Sequence, residues 1–335
     1  MKKILTLLTV SVLALTGCSL DDDDDSSSPI SYEEDSSELS SEKESEPEYY
    51  DTSDIQVLSP KGGPAVAFYN KAVQLTSTGE PTTIPGQFLA DNYDAVVFDF
   101  YNGLKANKAK GGHFKLAKIL TANNLYLVGI NKTTEPQAGD KIVAFGENLL
   151  PDLAFKEIYK DVLTNVDYVD AVGKTSPILI NKTYLGDSVD YVLTSEPVLY
   201  RALEQVEDKS IYTTFNVASK WEELKGKGHI IPQAGVFFNM HSYTGNEGKY
   251  NQFLEELNKD ITRGIILPNR IKTGFEAVGD ETAQNAKFGL TATEAYNITD
   301  KNNGCGLVDD TFQNSAISTF LTDLGNVEDY SAYIL

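Results

Sequence analysis

The stretch "SPKGGPAVAFYN", residues 59–70, sets Lys61, Gly62, Gly63 and Pro64 directly after the apolar run "IQVL". Two glycines permit a tight turn and close backbone approach. Pro64 suits the first position of a helix, where its missing N–H is not needed. A strand, a turn and a helix in this order present free N–H groups at a positive helix end, a place for an anionic or polar ligand. An ordinary strand-to-helix turn has the same composition, so the remaining candidate chemistry has to be weighed.

The other motifs exclude more than they offer. "VGKTS", residues 172–176, contains Gly-Lys-Thr, but Tyr168 stands where a phosphate-cradling Walker loop needs glycine. G-x-S-x-G, H-E-x-x-H, C-x-x-C and G-x-G-x-x-G do not occur. His113, His229 and His241 are scattered along the chain and read as surface or packing residues rather than metal ligands. No two carboxylates form a recognisable acid–base pair. The expectation is a protein without catalytic residues, metal or cofactor.

The elements that position these residues alternate between strand-like and helix-like runs, which favours an α/β fold. "IQVLS" leads into a helix at Ala65. "YDAVVFDF", "FKLAKIL" and "LYLVGI" read as buried strands, and "NKTTEPQAGD" then breaks the pattern. "KIVAFGENLLPDLAFKEIYKDVL" reads as strand, turn and a helix opening near Pro151. "VDYVDAV" is a strand, and "VDYVLTSEPVLYRALEQV" is a strand followed by a helix with Pro197 near its start. "WEELKGKGH" is polar, "IIPQAGVFFN" is apolar again, and two helical spacings follow, "KYNQFLEELNKDITRGIIL" and "DTFQNSAISTFLTDLG". About 280 residues suffice for two lobes. Lobe I is read as 55–131 plus 232–335 and lobe II as 132–231, with a ligand cleft between them.

The N-terminal part is not globular in composition. "MKKILTLLTVSVLALTGCSL" has two lysines, a short apolar run and small residues, as a signal peptide does. It closes in "LTGC", which resembles the bacterial lipobox. That resemblance implies cleavage before Cys18 and lipidation of its thiol, which makes residues 1–18 the leader and anchor. Residues 19–54 hold fifteen acidic residues and one lysine, fourteen of the net −21 charges. Such a segment buries too little to offset its ordering entropy and reads as a disordered tether. It would reach roughly 30–35 Å as a flexible coil. No basic patch supports a nucleic-acid partner. With Cys18 lipidated, Cys305 has no disulfide partner and reads as a buried small hydrophobe.

Together, "LTGC", "SPKGGPAVAFYN", "YDAVVFDFYNGLKANK…FKLAKILTANNLYLVG", "KIVAFGENLLPDLAFKEI", "VDYVLTSEPVLYRAL" and "IPQAGVFFN" resemble the extracytoplasmic solute-binding lipoproteins of ABC importers, in the sulfonate-, nitrate- and thiamine-precursor-binding group. The resemblance covers most of residues 54–335. It implies a two-lobed periplasmic-binding-protein type II fold and a lipid-anchored monomer on the extracytoplasmic face of the membrane. Such a protein captures a small solute and delivers it to a permease. It further implies ligand contacts from Ser59, Lys61, Gly62 and Gly63, from Asp99, Tyr101 and Asn102, from Gly146, Glu147 and Asn148, and from Ser195 and Glu196, with Glu196 alternatively only capping the helix that begins at Pro197. Phe100, Tyr101 and Asn102 depart from the Pro-Thr-Asn common in that group, so the solute stays open. Two other readings stay open, an enzyme of thiamine-precursor-synthase type on the same scaffold and a surface adhesin held out by the tether.

Overall fold

The structure is a computed structural model and describes residues 49–109, 111–309, 314–326 and 328–335. The leader, Cys18 and most of the acidic segment lie outside the described residues. The strands are β1 (Gln56–Pro60), β2 (Gln74–Thr78), β3 (Ala95–Asp99), β4 (Phe114–Ile119), β5 (Tyr126–Ile130) and β6 (Ile142–Phe145), then β7 (Val166–Val169), β8 (Thr183–Tyr184), β9 (Asp187–Ser188), β10 (Tyr191–Thr194), β11 (Tyr212–Asn216) and β12 (Ala234–Asn239). The helices are α1 (Gly63–Val66), α2 (Phe100–Ala109), α3 (Leu150–Tyr159), α4 (Thr175–Asn181), α5 (Val198–Gln205) and α6 (Val217–Lys225), then α7 (Met240–Tyr243), α8 (Glu247–Ile266), α9 (Pro268–Glu276), α10 (Glu281–Phe288), α11 (Ala292–Gly306) and α12 (Asn314–Asp323).

Two five-stranded mixed sheets carry the fold, in the orders β2-β1-β3-β12-β4 and β11-β5-β10-β6-β7. In the first, β1 runs parallel to β2 and β3, and β12 is antiparallel to β3 and β4. In the second, β10, β6 and β7 are parallel and β5 is antiparallel to β10 and β11. β5 therefore lies in the second sheet, although the sequence reading ended the first lobe after residue 131. Its apolar run looks the same beside either sheet, and its pairing with β10 and β11 moves the passage to residues 120–125.

Alternate residues of each strand bury on opposite faces, as the two-residue period requires. Leu58, Val96 and Phe98 of the first sheet share a core with Leu127, Ile142, Ala144, Tyr191 and Leu193 of the second, together with Trp221 and Phe320. Val57, Ala95 and Val97 face the other way, under α1, α8, α9 and α11. Val128, Val143 and Val192 likewise face α4 and α5. Sheets covered on both sides explain the near-continuous apolar runs of the central strands.

Helix ends follow local chemistry. Asn216 caps α6 by accepting the N–H groups of Ala218 and Ser219, and Asp280 caps α10 through Ala283. α8 buries Tyr250, Phe253, Leu257 and Ile261 at helical spacing. "WEELKGKGH", read only as polar, contributes the end of α6 with Trp221 fully buried beneath it.

Residues 50–54, read from sequence as the end of the acidic segment, are ordered on the domain. Tyr50 donates its backbone N–H to Gln252 and accepts the Gln252 amide in return, at 2.8 and 2.9 Å. Lys249 pairs with Asp54 at 2.5 Å. Residues 50–54 thus dock on α8. No helix among the described residues is long and apolar enough to cross a membrane.

Candidate functional site

The strand ends expected to bind solute converge from the two sheets. β1 ends at Ser59 and Pro60, β3 at Asp99, β6 before Gly146 and β10 before Ser195. Asp99 accepts the Asn102 N–H at 2.9 Å and, across the gap between sheets, the Leu150 N–H at the start of α3 at 3.3 Å. Asn124 and Glu196 exchange two hydrogen bonds at 3.0 Å, joining the inter-sheet passage to the β10 turn. The Gln233 side chain accepts the Asn124 N–H at 2.7 Å. Gly62 faces Pro197, whose peptide bond with Glu196 is cis; a Cβ on Gly62 would lie 3.4 Å from the Pro197 ring.

The groups here are mostly buried and polar. Ser59, Glu196, Asn124 and Thr121 are buried, while Lys61, Glu147 and Asn148 are exposed. Burial pushes the Asp99 carboxyl up from its ordinary value to about 6, and the backbone N–H groups of Asn102, Leu150 and Tyr101 only partly offset it. Tyr126 is pushed up to about 12 by burial and the nearby Glu196. The Cys305 thiol is also pushed up by burial, and such a thiol is unreactive. The Asn102 Nδ2 is buried without a hydrogen-bond partner. A cavity of about 260 Å³ is lined by the neighbouring Tyr101 with Leu153, Lys156, Glu157 and Leu324.

The start of α3 is held firmly. Asp152, fully buried, accepts the Asn148 N–H, the Lys156 ammonium and the Tyr168 hydroxyl at 2.7, 2.7 and 2.8 Å. On the other side, Arg201 of α5 grips Glu294 of α11 through two contacts at 2.6 Å and adds Asn285 at 2.9 Å. Asn297 donates to the Tyr200 hydroxyl at 2.8 Å.

The chain aligns in three dimensions with an ABC transporter protein from Parabacteroides distasonis at 19% identity and a TM-score of 0.58, covering 83% of this chain and 94% of that one. It aligns with the ligand-binding component of an ABC-type import system from Staphylococcus aureus, solved with zinc bound, at 10% identity and 0.58, covering 84% and 96%. The periplasmic aliphatic sulphonate-binding protein SsuA from Escherichia coli aligns at 10% identity and 0.56, covering 81% and 85%. The fold is that of the periplasmic solute-binding proteins. No protein-family model and no curated protein matches the chain.

Within the periplasmic-binding fold, the Lys61–Pro64 turn differs from its expected form. α1 spans only four residues. The Gly62 N–H donates to the Phe288 carbonyl at 2.8 Å, and the Lys61 N–H to the Thr78 carbonyl at 2.9 Å. These amides are spent inside the protein. Gly62, with φ 94°, is the residue that needs a left-handed backbone. Gly63 instead needs space, since a Cβ there would lie 2.9 Å from the Cys305 carbonyl oxygen and 3.1 Å from its Cβ. Gly63→Val is therefore expected to lower stability by about 1–3 kcal/mol through overpacking, read as a fall in melting temperature. Sequence reasoning missed Asn124, Tyr126 and Gln233. Asn124 and Gln233 sit in the passages between sheets and Tyr126 opens β5 just after one of them, where no strand-to-helix turn marks them.

Proposed function

We propose that this protein is the solute-binding component of an ABC importer, held at the extracytoplasmic membrane face by a lipid on Cys18 and an acidic tether. The observation that carries this reading is the meeting of strand ends from two sheets around Asp99, Asn102, Asn124 and Glu196. Open α/β sheets bind ligands beyond the carboxyl ends of their strands, and a ligand touching both sheets favours the closed arrangement. Proteins named for ABC transport and ABC-type import align over more than four-fifths of the chain. Asp99, Tyr101, Asn102, Ser195 and Glu196 are proposed as the solute contacts, with Gly146, Glu147 and Asn148 at the rim. Ser59, Gly62 and Gly63 form the wall behind them.

The charge at this junction narrows the solute. Asp99 is partly buried, the buried Glu196 carboxylate also accepts the Tyr200 N–H of α5 at 2.9 Å, and Lys61, the sole cation of the expected set, is exposed. A solute that donates hydrogen bonds, neutral or cationic, suits these carboxylates better than a sulfonate does. A thermal-shift screen of small solutes tests this. At 100 times its dissociation constant a true ligand adds about 2.7 kcal/mol of stability. The expected hits are amines and hydrogen-bond donors. A screen in which only anions raise the melting temperature removes the charge argument, and one with no hits removes the solute-binding reading.

A further inference from the structure

We propose that Asp91, His113 and His241 form a binding site for one divalent transition-metal ion, with Zn²⁺ the best fit. The fold assembles this group from three distant stretches of chain. Asp91 precedes β3, His113 immediately precedes β4, and His241 lies in α7 just after β12. β12 is antiparallel to both of its neighbours, with Phe238 opposite Ala95 and Asn239 opposite Phe114. Its end therefore meets the beginnings of β3 and β4. This is the opposite end of the sheet from Asp99, which pairs with Ala234, so the group is separate from the solute junction.

His113 Nε2 lies 2.5 Å from Asp91 Oδ1, and His241 Nδ1 lies 3.3 Å from Asp91 Oδ2. The imidazole rings stack with centroids 4.4 Å apart and planes 4° apart. One donor atom from each residue falls within 4.8 Å of the others. Two imidazoles and a carboxylate, with a water as fourth ligand, are a known Zn²⁺ donor set, and imidazole also suits Cu²⁺ and Ni²⁺. His113 Nε2 is a buried atom that, despite its closeness to the carboxylate, makes no hydrogen bond of acceptable geometry. A shared ion satisfies it.

A second layer of contacts orients the donors. The Asn239 amide donates to Asp91 Oδ1 at 3.0 Å while its oxygen accepts the His241 N–H at 3.0 Å. Met240 donates its N–H to the His113 carbonyl at 2.8 Å. Such outer contacts fix ligand geometry in metal sites. Asp91 and His241 are exposed, which gives an ion its entry path. Bound there, it would tie β4, α7 and the segment before β3 together.

The intact protein, stripped with a chelator, is titrated with ZnCl₂ by calorimetry and with CoCl₂ by visible spectroscopy. The expected result is one equivalent of Zn²⁺ per chain, a rise in melting temperature, and the strong absorption of four-coordinate Co²⁺. His241→Ala removes an exposed side chain and leaves the core untouched. It and Asp91→Asn are each expected to weaken Zn²⁺ binding at least tenfold and to abolish the Co²⁺ band, whereas His229→Ala changes neither. Absence of stoichiometric binding reduces the group to an ion pair and overturns the proposal. Unchanged affinity in folded His241→Ala places the metal elsewhere and overturns it equally.

Discussion

Asp99→Asn is expected to stabilise the folded protein at neutral pH and to flatten its dependence on pH. Burial raises the Asp99 carboxyl from 3.8 to about 6. A group whose folded pKa lies above its unfolded value favours the folded state when protonated. Its contribution is full below the ordinary pKa, falls as pH rises from about 4 to 6, and is absent above that. The two-unit gap amounts to about 3 kcal/mol at most. The amide oxygen of asparagine still accepts some of the backbone N–H groups that Asp99 accepts, and leaving a remaining one without an acceptor takes back about 1 kcal/mol or more. Melting curves at pH 4.5 and 7.5 check this, since the variant gains at the higher pH and loses the slope between the two. If Asp99 contacts solute as proposed, the same change weakens ligand binding. Stability and affinity then move in opposite directions, as they do where a site is held in a costly state.

Trp221→Ala is expected to remove about 3–5 kcal/mol of stability. Trp221 is fully buried in α6, its ring 5.1 Å from Phe320 of α12, with the Lys225 ammonium 5.3 Å from the ring centre. It belongs to the core that both sheets share. Its indole N–H is buried without a hydrogen-bond partner. Trp221→Phe is therefore expected to recover most of the loss, because it keeps an aromatic ring and removes an unsatisfied donor. Urea titrations followed by circular dichroism measure both variants, since Trp221 is the chain's one tryptophan and tryptophan fluorescence is lost with it.

What the sequence made legible follows from burial. The central strands 95–99, 126–130, 142–145, 191–194 and 234–239 are apolar on both faces, so their runs stand out. β2 "QLTST" and β11 "YTTFN" sit at sheet edges, where polar residues are tolerated, and carry no such signal. Sheet membership was also hidden, as β5 demonstrates, because pairing depends on register and crossing rather than composition. The turns bearing Asp99, Gly146 and Glu196 could be marked from strand-to-helix transitions. The convergence of Asp91, His113 and His241 could not, because a stretch of 127 residues separates the two histidines.

The position of β12 has a consequence for how the chain is made. β12 lies between β3 and β4 and is the strand through which β4 joins its sheet. More than a hundred residues, including the whole second sheet, are synthesised between β4 and β12. Until residue 239 has emerged, β3 presents an open edge on one side and β4 has no ladder to enter. The second sheet draws its strands from residues 126–216 and has no such wait. Closing so long a loop adds little to the equilibrium cost but slows the approach to it. The first sheet is therefore the slow, late-forming half of the molecule. Its unfinished edge, lined by Val96, Val97 and Phe98, is the surface that a chaperone would need to shield while the chain is still arriving.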